Sequence, residues 1–339
     1  MKAIGVKAAA PGTVPYSAAN PAPSSAIITF ERPIPKPQKA GDVVVKVNAT
    51  TVTRDGLTWP ELYEAKDPAQ LGNDFSGIIS AVHDDEAEFK VGDEVYGMTS
   101  AHRGGAWAEC VLVENDEFAR KPEDLSWEQA ACLPMSAMTA DQGLFVDAAF
   151  NRSGPSKTVL VTGAAGGVGM YVVQLARFAG HKVTAATSSI ARDHAFLQEL
   201  RAEDIIEYHR DNPNFEKASF DVAIDTVGGK VLESLKLSPD LFKKDSGAVL
   251  VTIDSASYDI ANEPRGSSMP KWKFFILEPS RESLDRIAKS VKESGLKTFV
   301  AKTMDLFGEA RDAYELADSN TAKAEDRKTL GKGKIVLVT

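Results

Sequence analysis

From residue 158 onward, runs of apolar residues alternate between two periods. Thr158-Val-Leu-Val-Thr162 is a short β-branched run that reads as a buried strand, and Gly163-Ala-Ala-Gly-Gly-Val-Gly169 follows as a turn of small residues. Residues 170–179 then continue as a helix, with Val168, Val172, Leu175, Ala176 and Ala179 on one face and Gly180 as the stop. Strand-like runs recur at 182–187, 204–208, 220–226 and 248–254 with helical patterns between them, so a parallel, doubly wound sheet is expected. Residues 271–277 read as its last strand, and 280–295 as an amphipathic helix with Leu284, Ile287, Ala288 and Val291 on one face. The tail, 334–339, is again strand-like; periodicity does not say what it pairs with.

The first 126 residues follow another pattern. Prolines at 11, 15, 21, 23, 33, 35 and 37 leave little room for helix. Gly41-Asp42 turns into an alternating strand from Val43 to Asn48, further strands are expected at 76–82 and 108–113, and 91–97 reads as a tight turn between them. The acidic run 84–88 reads as a solvated loop. Ser126-Trp-Glu-Gln129 fits a capping box, in which the Ser and Gln side chains each satisfy a backbone N–H at the helix start, and it marks a boundary between a β-rich first part and the alternating second part.

The chain of 339 residues has room for two domains. A net charge of −9 argues against nucleic acid or an anionic membrane as a partner. Cys110 and Cys132 offer no disulfide framework and suit a reducing compartment. Lys7 interrupts the N-terminus before a signal-type apolar region forms, and no apolar run reaches the ~20 residues of a membrane span. A cytoplasmic location is expected.

Strand, glycine turn and helix form a phosphate-binding unit, because glycines let the backbone approach a pyrophosphate and helix-start N–H groups favour negative charge. The turn has Ala164 at the first glycine position of G-x-G-x-x-G, then Gly166 and Gly169. It also fits T-G-x-x-x-G-x-G, the short-chain dehydrogenase pattern. That chemistry needs a Tyr-x-x-x-Lys pair, and Tyr171, Tyr208, Tyr258 and Tyr314 are followed four places on by Leu175, Asn212, Asn262 and Asp318.

The order of blocks identifies a resemblance over nearly the whole chain. Lys46-Val-Asn-Ala-Thr-Thr-Val-Thr-Arg-Asp55, Leu71-Gly-Asn-Asp-Phe-Ser-Gly-Ile-Ile79, Phe89-Lys-Val-Gly-Asp-Glu-Val-Tyr-Gly97, Gly104-Gly-Ala-Trp-Ala-Glu109, the 162–169 turn, Phe274-Phe-Ile-Leu-Glu-Pro-Ser280 and Gly333-Lys-Ile-Val-Leu337 occur in sequence. Together they resemble the medium-chain dehydrogenase/reductase superfamily, in its zinc-free quinone oxidoreductase and enone (enoyl) reductase branch. The resemblance implies an α/β fold with a GroES-like β-rich catalytic domain over 1–126, a Rossmann domain over 127–278, and a return to the first domain over 279–339. Zinc-dependent relatives place a Cys in the first block and Gly-His-Glu in the second. Here those places look like Thr53 and Gly72-Asn73-Asp74, a poor Zn²⁺ set, and the five histidines make no ligand-spaced pair, so no metal is expected.

An NAD site usually carries an acidic residue about 20 positions past the glycines, at the end of the second strand. This chain has Thr187-Ser188-Ser189 there and Arg192 beyond, groups suited to a 2′-phosphate and hence to NADPH; the alternative is a helix cap with a solvated arginine. In similar enzymes a Tyr ending the third strand joins this pocket, and Tyr208 matches it. The resemblance further implies cofactor contacts at the turn residues Ala164, Ala165, Gly166, Gly167, Val168 and Gly169, and at Thr139, Thr226, Val227, Thr252, Ile253, Phe275, Ile276 and Lys334. The implied reaction is zinc-free hydride transfer from NADPH to a quinone or to the C=C of an α,β-unsaturated carbonyl, followed by protonation from a side chain or water. Tyr63 is the candidate donor, with Thr53 and Asn73 in the same site; Arg54 and Trp59 are further candidates for that cleft. A trans-acting enoyl reductase on carrier-bound acyl chains and a non-catalytic NADPH-binding sensor or scaffold stay open. A homodimer is expected through an edge strand carrying Phe274 and Phe275.

Overall fold

The computed structural model describes residues 1–64, 68–84, 88–209, 215, 219–244, 247–254, 271–317 and 330–339, so 85–87 of the acidic run lie outside it. The chain divides into two compact units, 1–135 with 278–339, and 136–277.

The first unit opens with β1 (Lys2–Val6), β2 (Ile27–Glu31) and β3 (Val43–Thr51), then a short helix α1 (Pro60–Glu64). It continues through β4 (Ala69–Gln70), β5 (Asp74–Val82), β6 (Glu94–Met98), β7 (Cys110–Val113) and β8 (Phe118–Arg120) to helix α2 (Trp127–Ala131). Ser126 and Gln129 form the capping box of α2, as their spacing requires. The segment expected to be a tight turn, 91–97, is a turn only at its start. Gly92 takes the left-handed φ of +96° and its N–H bonds Ile79. From Glu94 the chain extends as β6, because Val95 and Tyr96 bury completely between β5 and β8.

Helix α3 (Pro134–Gln142) leads into the second unit. There follow β9 (Thr158–Thr162), α4 (Gly169–Phe178), β10 (Lys182–Thr187), α5 (Ile190–Glu199), β11 (Asp204–Glu207), β12 (Val222–Asp225), α6 (Gly229–Lys236), β13 (Val249–Thr252) and β14 (Lys271–Phe274). The six strands pair in parallel in the order β11-β10-β9-β12-β13-β14. The direction of winding reverses between β9 and β12. In such sheets the crevice beyond the carboxyl ends of the strands at that point is where a nucleotide binds. Helix α4 departs from the expected one-sided pattern, since Met170 through Ala176 are buried all round.

Returning to the first unit, α7 (Arg281–Ser294) starts at the Ser280 cap and ends at Gly295, whose φ of +70° suits a helix C-terminus. Strand β15 (Val300–Asp305), helix α8 (Leu306–Ala317) and β16 (Lys334–Val338) complete the chain. The tail strand β16 lies parallel to β15 and antiparallel to β3, with Leu337 opposite Thr50. It thereby joins a seven-stranded sheet in which β7 also pairs with β3. Val43, Val45, Phe75, Ile79, Val95 and Phe118 fill one core of this unit, while Ile4, Leu57, Leu71, Trp107, Leu306 and Leu337 belong to another. Among the described residues, no helix is long and apolar enough to cross a membrane.

Candidate active site and nucleotide-binding crest

In the first unit, the end of β3 with the chain after it, and the chain leading into β5, line a cleft with Thr53, Trp59, Leu62, Asn73 and Trp107. Gly72 is required there: its φ is +84°, and a Cβ would lie 2.1 Å from the Trp107 ring. Two of the expected catalytic residues, Thr53 and Asn73, are brought together in this cleft; Tyr63 is not on its lining, and Arg54 is an exposed residue off it. The Asn73 amide donates to the Thr99 and Ser100 carbonyls at 3.3 and 3.2 Å, and the Thr53 hydroxyl points to Met135 Sδ at 3.6 Å.

Tyr63 sits half-buried on α1 with its hydroxyl committed. It donates to the Leu57 carbonyl at 2.5 Å and accepts the Ala22 N–H at 2.9 Å. Burial raises its pKa, which makes it a weaker acid. His102, in the glycine-rich loop, pairs with exposed Glu64 at 3.0 Å.

Thr53, Asn73 and Asp74 stand at the places where the resemblance would put zinc ligands. Asp74 is fully buried and accepts Thr51 Oγ1 at 2.6 Å and the Met135 N–H at 2.7 Å, and it pairs with the Lys334 ammonium. Its oxygens are therefore engaged, and its neighbours offer an amide and a hydroxyl. No group of three or more His, Cys, Asp or Glu placed to hold a metal ion occurs among the described residues. This set does not fit Zn²⁺, which takes thiolate, imidazole or carboxylate in a close tetrahedron. Buried Cys132 is no better a ligand, since desolvation pushes its thiol up to about 12.

In the second unit, Gly163 leaves β9 at a φ of +61°, and a Cβ there would stand 2.6 Å from Thr226 Oγ1. A Cβ on Gly169 would lie 2.2 Å from the Gly163 carbonyl oxygen, so only glycine lets α4 start this close to the strand. Gly166 and Gly167 are exposed on the crest of the turn. Thr226, Val227, Thr252 and Ile253 lie at the carboxyl ends of β12 and β13 beside this turn. Thr139 is buried in α3, Phe275 packs 3.6 Å from where a Cβ of Gly143 would be, and Ile276 is half-exposed. Lys334 belongs to the first unit, where its amine is committed to Asp74.

At the end of β10 the expected groups converge. Arg192 donates from Nε and Nη2 to the two oxygens of Asp193, each at 2.8 Å, and Nη2 lies 3.4 Å from Ser188 Oγ. Asp193 is completely buried and also accepts the Thr187 hydroxyl. Ser189 stands at the start of α5 but makes no side-chain cap bond. Buried Tyr208 lies next to Phe215, with ring centroids 6.0 Å apart.

Two carboxylates escape a reading of the sequence. Asp193 orients Arg192, and Asp225 ends β12 as a hub for four donors. The available signal was a charged residue closing an otherwise apolar strand just before Gly228-Gly229.

Two family models match the chain: the alcohol dehydrogenase GroES-like domain over residues 39–123 and the zinc-binding dehydrogenase over 200–337. A probable zinc-binding mitochondrial oxidoreductase of Arthroderma benhamiae is 30% identical over 333 residues, spanning 93% of this chain and 94% of the relative. A human mitochondrial NAD(P)H oxidoreductase is 33% identical across 62% of this chain and 58% of its own length. The solved quinone oxidoreductase of Coxiella burnetii superimposes with a TM-score of 0.80 at 26% identity, covering 100% of this chain and 99% of that one. Fold, glycine turn and full-length relatives agree, and the chain belongs to the medium-chain dehydrogenase/reductase superfamily as an oxidoreductase of the quinone oxidoreductase type.

Proposed function

We propose that this protein is an NADPH-dependent, zinc-independent reductase of quinones or of the C=C bond of α,β-unsaturated carbonyls. The Ser188–Arg192–Asp193 arrangement carries the cofactor choice. Asp193 holds the Nε/Nη2 edge of the guanidinium, leaving Nη1, together with the Nη2 proton that faces Ser188 Oγ at 3.4 Å, to meet a phosphate. Asp193, which could instead serve a ribose 2′-hydroxyl, is buried and already engaged, and Glu207 at the end of β11 accepts the Ile190 N–H.

The cradle at Gly163–Gly169 suits the pyrophosphate, with Ala164 to Gly169 as the proposed backbone contacts, and Thr187, Ser188, Ser189, Arg192 and Tyr208 as the pocket for the 2′-phosphate end. Thr139, Thr226, Val227, Thr252, Ile253, Phe275 and Ile276 are proposed to complete the site in the second unit. When bound, the nucleotide supplies a hydride. Thr53 and Asn73, on the cleft of the first unit, would contact the acceptor. The hydroxyl of Tyr63 is tied to Leu57 and Ala22 and its acidity is lowered, so we assign the proton to water and give Tyr63 the role of holding the loop that carries Leu57. The engaged state of Asp74 supports a reaction without zinc. Strand β14 ends the sheet, with one strand neighbour among the described residues, which supports a homodimer paired along it.

The test is loss of nicotinamide absorbance from NADPH with a panel of quinones, enones and simple aldehydes. Turnover with quinones or enones is expected. Turnover with aldehydes alone, or with none of the panel despite NADPH binding, would overturn the proposal.

A further inference from the structure

We infer that Asp225 is the positioning residue of the nucleotide-binding crest: one buried carboxylate fixes the two turns that face the glycine loop across the reversal point of the sheet. The inference rests on the reading that this crest holds NADPH, and goes beyond it by naming what holds the crest in shape.

Asp225 is completely buried at the carboxyl end of β12, between β9 and β13. Its Oδ1 accepts the Thr162 hydroxyl at 2.6 Å and the Val227 N–H at 3.3 Å. Its Oδ2 accepts the Thr252 hydroxyl at 2.9 Å and the Gly228 N–H at 3.0 Å. The two hydroxyls are themselves oriented. Thr162 Oγ1 accepts the Thr226 N–H, and Thr252 Oγ1 accepts the Asp254 N–H, at 3.3 and 3.1 Å. Each hydroxyl proton therefore goes to Asp225. Four backbone N–H groups, of Thr226, Val227, Gly228 and Asp254, are thus gathered directly or through one hydroxyl onto a single carboxylate.

Every partner donates, so the site requires an acceptor on both oxygens. Desolvation raises the Asp225 pKa and the four hydrogen bonds act against it; no cation is paired with it among the described residues. A buried anion without a counter-charge is costly for a mere strand clamp. The residues it organises are the ones that matter at the crevice. Thr162 precedes Gly163, Thr226 and Val227 crowd the position where a Gly163 Cβ would be, and Gly228 holds a φ of +74° against Asp254.

The opposite end of the same pair of strands supplies an internal control. Asp221 there accepts the Thr158 N–H at 2.8 Å and pairs with Lys243 at 2.7 Å, and it too ties β9 to the start of β12. It lies at the amino ends of the strands, away from the crevice.

The experiment compares full-length wild type, Asp225→Asn and Asp221→Asn for NADPH affinity, by nicotinamide fluorescence, and for amide hydrogen exchange. The amide of Asn places a donor against a donor. Asp225→Asn should weaken NADPH binding at least ten-fold and speed exchange at 226–229 and 252–254 at least ten-fold, with the middle of β9 unchanged. Asp221→Asn should lower thermal stability without either change. Thr162→Val removes one donor and one relay, and should give the same pattern at three- to ten-fold if Asp225→Asn does not fold. Unchanged exchange in both turns, or equal loss of affinity in both Asp→Asn variants, would overturn the role of Asp225. Absence of NADPH binding by the wild type would instead sink the cofactor reading, while the exchange data would still decide whether Asp225 holds the turns.

Discussion

Removing the Lys334 ammonium should be among the most damaging single changes in the first unit. Lys334 is 8% exposed and Asp74 1%, and they join β16 to β5 across the middle of the sheet. In Lys334→Met, Asp74 keeps the Thr51 hydroxyl and the Met135 N–H but loses the cation it pairs with among the described residues. Breaking a buried pair from one side costs about 3–5 kcal/mol, because the remaining charge is stranded out of water. For a unit of this size each kcal/mol moves Tm by about 2–4 °C, so a fall of about 6–20 °C is expected. Asp74→Asn in the same background removes the stranded charge, and the amide oxygen still accepts from one of the two donors. The double variant Asp74→Asn/Lys334→Met should therefore recover most of the loss, to within about 2 kcal/mol of wild type. Urea unfolding of wild type, both single variants and the double variant gives the coupling energy. A single variant as stable as wild type, or a double variant that loses the sum of the two singles, would refute the reasoning.

Arg192→Ala should reduce the preference for NADPH over NADH at least ten-fold, read as the ratio of kcat/KM values, with little change for NADH itself. Gly169→Ala should abolish or greatly weaken nucleotide binding, since the new Cβ would meet the Gly163 carbonyl at 2.2 Å and push α4 from the turn; titration with NADPH checks it. Tyr63→Phe should leave kcat within about three-fold of wild type while costing about 1 kcal/mol in stability, from loss of the hydrogen bond to Leu57; a hundred-fold loss of kcat would restore Tyr63 as the proton donor. Burial lowers the pKa of His181, so below pH ~6.5 the unfolded chain binds more protons than the folded one and stability falls as pH drops through that window. Equilibrium unfolding of His181→Gln between pH 7 and 5 should show a flatter acid limb.

The second unit was legible because parallel strands buried on both faces read as β-branched runs, and 158–162, 182–187 and 249–252 stand out on that ground alone. The first unit was harder. Pairing of β16 with β3 joins residues far apart in sequence, as the Thr339 Oγ1 bond to the Val47 carbonyl across 292 positions shows, and no local period carries that information. Strand β6 was hidden by Gly92 and two charged neighbours that resemble a turn. Helix α4 shows an amphipathic stripe in sequence, yet Tyr171 and Gln174, off the stripe, are buried too. Thr53 and Asn73 were reached through position in their blocks. Asp193 and Asp225 were not, because a carboxylate's role depends on donors arriving from other strands: Thr187 for one, Thr162 and Thr252 for the other. Tyr63 looked available in the sequence, whereas its hydroxyl is occupied by backbone from 41 residues upstream and from Leu57.

The central claim is tested most directly by kcat/KM for one quinone with NADPH and with NADH, on protein stripped of metal and again after addition of Zn²⁺. Full activity in the stripped protein, unchanged by Zn²⁺ and at least ten-fold in favour of NADPH, is the predicted result. Activity that appears only with Zn²⁺, or a preference for NADH, would contradict it.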